Sequence, residues 1–174
     1  SHDFSRQQIT NYLDLFAQTF VIRRLSPYFK NLGKRLVKRP KLYLRDSGLL
    51  HQLMGIHSQD ELSGHPMRGL SWEGFAIEQI IAMMQGWEPY FYRTSNGAEL
   101  DLLLVKGDRR LAFEIKASVV PKLTKGFHTA REDVAPECTY IVSRNDATWT
   151  SRESVVHTNI KDLPEQLSQN GPAA

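Results

Sequence analysis

Between Arg93 and Ser118 the chain reads RTSNGAELDLLLVKGDRRLAFEIKAS, and two glycine-containing turns leave little freedom over what the flanking residues can form. Asn96-Gly97 and Gly107-Asp108 separate three runs rich in β-branched, aromatic and Leu residues, so strands are predicted over Tyr90 to Ser95, Ala98 to Val105 and Arg110 to Ala117. Asn-Gly is the strongest short-range hairpin signal. If Gly107-Asp108 are the two central residues of their turn, Lys106 faces Arg109, Asp101 faces Glu114 and Glu99 faces Lys116. The same reading of Asn96-Gly97 brings Tyr92 beside Asp101 and Thr94 beside Glu99. One sheet face is then predicted to carry Tyr92, Thr94, Glu99, Asp101, Glu114 and Lys116. Leu100, Leu102, Leu104, Phe113 and Ile115 take the other.

Directly opposed like charges destabilise a sheet, so the Asp101 and Glu114 carboxylates in otherwise apolar strands require a cation. A hard divalent ion such as Mg²⁺ takes oxygen ligands and keeps several waters, and two carboxylates with a bound phosphate suffice to hold it. Lys116 offers the positive charge by another route, and the same residues also suit a solvent-facing ladder of alternating charge. A three-residue second turn, at Gly107-Asp108, would shift the register by one and spoil the alignment.

Charge is distributed unevenly. Residues 1–70 hold 11 Lys/Arg against 5 Asp/Glu, net +6, and residues 71–174 hold 11 against 14, net −3. The excess between Arg23 and Arg45, with Lys34, Arg35, Lys38 and Arg39 at its centre, fits a phosphate backbone as well as a solvated basic face. DNA is the expected partner of this segment. With 41% hydrophobic and 24% charged residues the chain has the composition of a globular protein rather than a disordered one. One cysteine, Cys138, excludes an intrachain disulfide and accords with the cytoplasm. No apolar run has membrane-spanning length and no signal peptide is visible.

Along the chain, Ser5 to Gln18 is predicted to be a helix capped by Ser5, with Ile9, Tyr12, Leu13 and Phe16 on one face. Strands follow at Phe20 to Leu25 and Lys41 to Leu44. Helix, strand, basic loop and strand match the back half of a winged helix or, equally, a packing extension of the main domain. Asp46 to Met54 forms a short helix ended by Gly55, and His57 to Leu70 reads as a linker. Ser71 to Gln85 is predicted to be a helix capped by Ser71, with Trp72, Phe75, Ala76, Ile80 and Met83 on its apolar face. Glu73 and Glu78 lie roughly 140° apart around it, so only one can point at the sheet, and Glu78 is the expected one. Gly74 suggests close approach of a strand. A crossover helix within Pro121 to Val134, strands at Glu137 to Val142 and Ser154 to Thr158, and a short helix from Asp162 to Gln169 complete an α/β reading with a mixed sheet. The predicted divisions are residues 1–45, a short helix and linker over 46–70, a main domain over 71–164 and a tail over 165–174.

Several chemistries are excluded. The six histidines show no close metal-ligand spacing, and Cys138 stands alone, which argues against zinc. Gly33-Lys34 continues into Arg35 and lacks the first glycine of a phosphate-binding loop.

Asp101, twelve intervening residues, then Glu114-Ile115-Lys116 resembles the Asp…Glu-x-Lys signature of the PD-(D/E)XK nuclease superfamily, with its restriction-endonuclease-like sheet flanked by helices. Leu100 stands where the superfamily often has Pro. WEGFAIEQ, FYRTSNGAELDLLL, AFEIKAS and LGKRLVKRPKLYLRDSGLL together resemble the C-terminal part of bacterial and archaeal AAA-type ATPases, in which a winged helix and a nuclease-like domain follow the ATPase module. This resemblance implies an ATPase portion beyond the present N-terminus and leaves oligomerisation open. It implies that Asp101 and Glu114 ligate Mg²⁺ or Mn²⁺, with the Ile115 carbonyl as a third ligand. Lys116 would act on the attacking water and the phosphate, and Glu78 would hold a water of the ion's shell. The expected activity is metal-dependent DNA hydrolysis. Its alternatives are a non-catalytic module that binds nucleic acid or a partner, and an oligomerisation domain.

Overall fold

The computed structural model describes residues 3–29, 36–152 and 154–170. Eight strands form one mixed sheet. They are β1 (Ile22–Pro27), β2 (Lys41–Leu44), β3 (Glu88–Arg93), β4 (Glu99–Lys106), β5 (Arg109–Lys116), β6 (Cys138–Ser143), β7 (Trp149–Thr150) and β8 (Val155–Thr158), in the order β2-β1-β3-β4-β5-β6-β8-β7. Helices α1 (Arg6–Gln18), α2 (Ser47–Leu53), α3 (Gln59–Gly64), α4 (Arg68–Met83), α5 (Lys125–Val134) and α6 (Leu163–Asn170) flank it. The α/β class with a mixed, helix-flanked sheet is thus as expected from the sequence. Among the described residues no helix is long and apolar enough to cross a membrane.

The sheet separates two cores. On one side Ala76, Ile77 and Ile80 of α4 and Leu163 and Leu167 of α6 pack on Leu102, Leu104, Leu111, Phe113, Ile115, Tyr140 and Val142. On the other, Phe127, Ala130 and Val134 of α5 pack on Tyr92, Leu100, Leu103, Ala112 and Ile141. Each fully buried aliphatic or aromatic side chain contributes roughly 1.5–3 kcal/mol. The helix that crosses from β5 to its parallel neighbour β6 is α5, as a parallel pair needs a long connection.

Local side-chain signals set several helix ends. Ser5 and Gln8 form a reciprocal capping box at α1, and Asp46 caps α2 through the Leu49 N–H. A Cβ at Gly74 would lie 3.3 Å from the Tyr43 ring, which is the close strand approach expected there. Other expectations fail. His57 to Leu70 is not a linker, because Ser58 caps α3 and α4 already begins at Arg68. Ser71 is therefore inside α4, buried, and bonded to His51 at 2.7 Å instead of capping. Phe75 and Met83, expected on the inner face, are exposed. The α1 face of Ile9, Tyr12 and Phe16 is about half exposed, and no α1 residue is buried.

β1 and β2 do not stand apart as a wing. β1 pairs parallel with β3 through Ser26 and Pro27, and β2 pairs antiparallel with β1, so this hairpin extends the main sheet. The Tyr28 N–H also bonds the Phe91 carbonyl at 2.7 Å.

Register is as expected at one turn and shifted at the other. Lys106 faces Arg109 and Leu102 faces Phe113 across Gly107-Asp108, with Gly107 at φ +60° as a two-residue turn with a leading glycine requires. At Asn96-Gly97 only Gly97 has positive φ, +85°, whereas the expected turn requires it at both central residues. The loop is Ser95-Asn96-Gly97, closed by Thr94 N–H to Ala98 O at 2.9 Å, so Arg93 faces Glu99 and Tyr92 faces Leu100. Tyr92 consequently stands beside Leu100 instead of Asp101, within the α5-side core, and donates its hydroxyl to Asp133.

Further along, β4 spends three residues where β3 spends two, between the pairs Tyr90 with Leu103 and Tyr92 with Leu100. This bulge puts Leu100 and Leu103 in the α5-side core and Leu102 and Leu104 in the other, breaking the strict alternation expected of β4. Gly126 holds the start of α5 against the same loop, where a Cβ would come within 2.3 Å of the Gly97 carbonyl oxygen. Gly126→Ala is accordingly expected to cost about 1–3 kcal/mol by overpacking. Urea unfolding reads this directly, and an unchanged midpoint would mean that the loop yields freely.

Candidate functional site

The β4 bulge and the end of the β4–β5 ladder fall together at Asp101. Paired residues are recorded up to Leu102 with Phe113, and at the next position the Ile115 N–H bonds the Asp101 Oδ2 at 2.9 Å. A side-chain carboxylate thus takes a donor of the neighbouring strand, in a position 7% exposed. Glu114 is 5% exposed, with Oε1 2.5 Å from Lys116 Nζ. Its other oxygen, Oε2, is buried without a hydrogen-bond partner.

These groups open into a cavity of about 480 Å³ that is lined by Lys41, Tyr43, Glu73, Arg93, Glu99, Asp101, Glu114 and Lys116, among others. The structure therefore brings Asp101, Glu114 and Lys116 together. Four elements supply the remainder: β2 gives Lys41 and Tyr43, α4 gives Glu73, β3 gives Arg93 and β4 gives Glu99. Lys41 Nζ lies 2.9 Å from Glu99, 3.2 Å from Glu73 and 3.6 Å from Asp101, and stands over the Phe91 ring at 5.5 Å from its centre. The Tyr43 hydroxyl donates to Glu73, and Arg93 stands 3.5 Å from Glu99.

Burial is the largest influence on the carboxyls. It pushes Asp101 up to about 7, helped by the charges of Glu114 and Glu73 and resisted by Lys41 and the Ile115 N–H. Glu114 is also raised, by burial first, against the pull of Lys116. Burial acts to lower both lysines, yet the surrounding carboxylates more than offset it, and Lys41 and Lys116 sit above the ordinary lysine value. Two acids held above their usual range in one cavity mark it as the candidate functional site.

Glu78 is not in this cavity. Its carboxylate accepts from the Arg23 guanidinium and from Arg45 Nε at 2.8 Å, tying α4 to β1 and to the residue after β2. Burial opposes its charge, but the two guanidiniums prevail and hold it below the usual carboxylate value. Glu73, not Glu78, lines the cavity for a long-range reason: Arg23 and Arg45 hold Glu78, and the Tyr43 and Lys41 side chains hold Glu73. The Lys-x-Tyr spacing of β2, which places both side chains on one strand face, is the sequence signal that points toward Glu73.

The basic segment is also less available than expected. Lys41 and Arg45 are engaged in ion pairs and only partly exposed. Lys38 and Arg39 are exposed. Lys34 and Arg35 lie outside the described residues. Ile115 contributes its side chain to the core and its N–H to Asp101.

Residues 68–163 match the family model of a domain of unknown function, DUF4143, and residues 1–60 match that of another, DUF8612. Uncharacterized proteins of Mycobacterium tuberculosis and Mycobacterium bovis are each 40% identical over 134 residues, which is 77% of this chain and 30% of theirs. The chain thus spans under a third of the length of these relatives. No solved structure matches it significantly.

Proposed function

Since the chain belongs to the DUF4143 family, whose description assigns no activity, the reading must come from the cavity, and we propose that it is the site of a metal-dependent nuclease hydrolysing DNA phosphodiester bonds. The observation that carries this reading is the convergence of Asp101, Glu114 and Lys116 on one cavity, with Glu114 Oε2 buried and without a partner.

The donor set fits a hard divalent ion. Among the described residues no three His, Cys, Asp or Glu side chains form a ready metal-holding group. Mg²⁺ or Mn²⁺ does not require one: it binds through one or two carboxylates, substrate phosphate and retained waters. Asp101 and Glu114 would hold it, with the Ile115 carbonyl as the third ligand that the PD-(D/E)XK resemblance implies. Such an ion, when bound, lowers the pKa of water and neutralises charge on the phosphate.

The chain's own groups have separate tasks. Lys116, anchored by Glu114, orients the attacking water and donates to the phosphate oxygens as negative charge develops there. Arg93 stands at the cavity wall with a cationic group for the backbone of the substrate. Exposed Lys38 and Arg39 add attraction for the phosphates, with Lys34 and Arg35 in the same basic run of the sequence. We extend the proposal to a place within a cytoplasmic AAA-type ATPase, as the sequence resemblance implies. A second reading, a module that binds nucleic acid or a partner without cutting, is favoured by the lysines that already neutralise the carboxylates.

The test is cleavage of labelled DNA in Mg²⁺ or Mn²⁺ against a chelator control. Divalent-dependent cutting is expected, lowered at least about tenfold by Glu73→Gln, which alters the charge around Asp101 and Glu114. Glu78→Gln is expected to keep the rate within about twofold while lowering thermal stability, because it weakens a partly buried double ion pair. No cleavage with either ion decides for the binding module.

A further inference from the structure

We propose that Lys41 and the divalent ion compete for the same carboxylate oxygens, making the β2 edge strand a brake on ion binding; the proposal rests on the metal-dependent reading above. The Lys41 ammonium stands within ion-pair distance of three different carboxylates, from α4, the start of β4 and, at 3.6 Å, the β4 bulge. Lys116 behaves differently, since its ion pair is with Glu114 from its own strand, two residues away. Lys116 can therefore keep its place beside an ion, whereas Lys41 is seated at the centre of the cluster. Two cationic groups a few ångströms apart in a poorly solvated cavity repel strongly. That this cluster is built for a ligand does not depend on its acidity alone: Glu114 Oε2 is an oxygen buried without a partner in the same cavity wall.

The competitor and the ligands come from different parts of the chain. Lys41 falls within the segment matched by the DUF8612 model, and Glu73, Asp101 and Glu114 within the DUF4143 match. β2 is four residues long and, among the described residues, lies at the sheet edge with β1 as its strand neighbour. Movement of this strand or its lysine leaves the central ladder intact. Coupling is reciprocal, so whatever holds Lys41 in place weakens ion binding, and a bound ion weakens the docking of β2.

Calorimetric titration of Mn²⁺ into the chain and into Lys41→Met and Lys41→Arg, with melting curves in Mn²⁺ and in chelator, tests this. Lys41→Met is expected to bind Mn²⁺ at least about tenfold more tightly and to gain more thermal stability from it, because one competing charge is gone. Lys41→Arg retains the charge and should keep an affinity close to the original. If Lys41→Met fails to melt cooperatively in chelator, Mn²⁺ should restore the transition, and failure to restore it overturns the proposal. Equal or weaker Mn²⁺ binding by Lys41→Met overturns the competition while leaving the metal site standing. Absence of Mn²⁺ binding in both the original chain and Lys41→Met overturns the competition and the metal-dependent reading together.

Discussion

Asp101→Asn and Glu114→Gln are each expected to weaken divalent-ion binding by about a hundredfold or more and to remove cleavage, because a hard cation depends on charged oxygens. Lys116→Ala is expected to retain the ion and lose about 10²–10⁴-fold in rate, the range of a positioned proton-transfer group. The contrast follows from the contacts. Glu114 is almost fully buried, with Lys116 on one oxygen and nothing on the other. Removing the lysine leaves a buried carboxylate with more need of a cation, so affinity should hold or rise. Removing either carboxylate takes charge from the ligand set and leaves the lysines with less to neutralise. Mn²⁺ titration beside single-turnover cleavage separates the two classes. Amide variants that bind Mn²⁺ as the original does would show that the ligands lie elsewhere, and loss of ion binding in Lys116→Ala would make that lysine a structural support.

The second large effect is on stability and runs against the common carboxylate pattern. Asp101 has a folded pKa of about 7 against an ordinary 3.8. The folded state then holds the proton more tightly than the unfolded state, so this group's contribution is fully present below about pH 4 and is lost as pH rises through 7. Glu114 is shifted in the same direction. Glu78, lowered by its two arginines, works oppositely: its contribution is present above the ordinary value and is lost as pH falls through its folded value. The chain in chelator should therefore be most stable in mildly acid solution and melt progressively lower from pH 5 to 8. Each unit of difference between folded and unfolded pKa is worth about 1.4 kcal/mol. One such increment moves the midpoint of a chain of this size by about 2–4 °C. Asp101→Asn should flatten that fall and raise the midpoint at pH 8. Saturating Mn²⁺ should reverse the slope, because the ion binds the deprotonated acids. A flat melting profile from pH 5 to 7 in chelator would show that the two acids are not held together as described.

Short-range chemistry explains what was legible. Alternating apolar residues around Gly107 determined β4, β5 and their register, because a two-residue turn led by glycine permits one pairing. The same count puts Asp101 and Glu114 at the position just beyond the last apolar pair, Leu102 with Phe113, where the ladder gives way and the Asp101 carboxylate takes the Ile115 N–H. Caps at Ser5 and Asp46, the stop at Gly55 and the close approach at Gly74 are equally local, each set by one side chain or its absence.

Tertiary structure decided the rest. Asn96-Gly97 predicts a two-residue loop, whereas the chain forms the three-residue loop Ser95-Asn96-Gly97, with Tyr92 beside Leu100 under α5 and its hydroxyl on Asp133. The bulge at Asp101 belongs to β3 and β4 together and has no signature in either strand. Glu73 and Glu78 are alike within the helix sequence; partners 30 to 55 residues distant distinguish them, two arginines at one and Tyr43 with Lys41 at the other. The basic run likewise fits a phosphate backbone or a solvated face by sequence, and ion pairing draws Lys41 and Arg45 inward. Charge and spacing were properties of the sequence by itself, whereas burial belongs to the fold, and burial raises the two acids above their ordinary values.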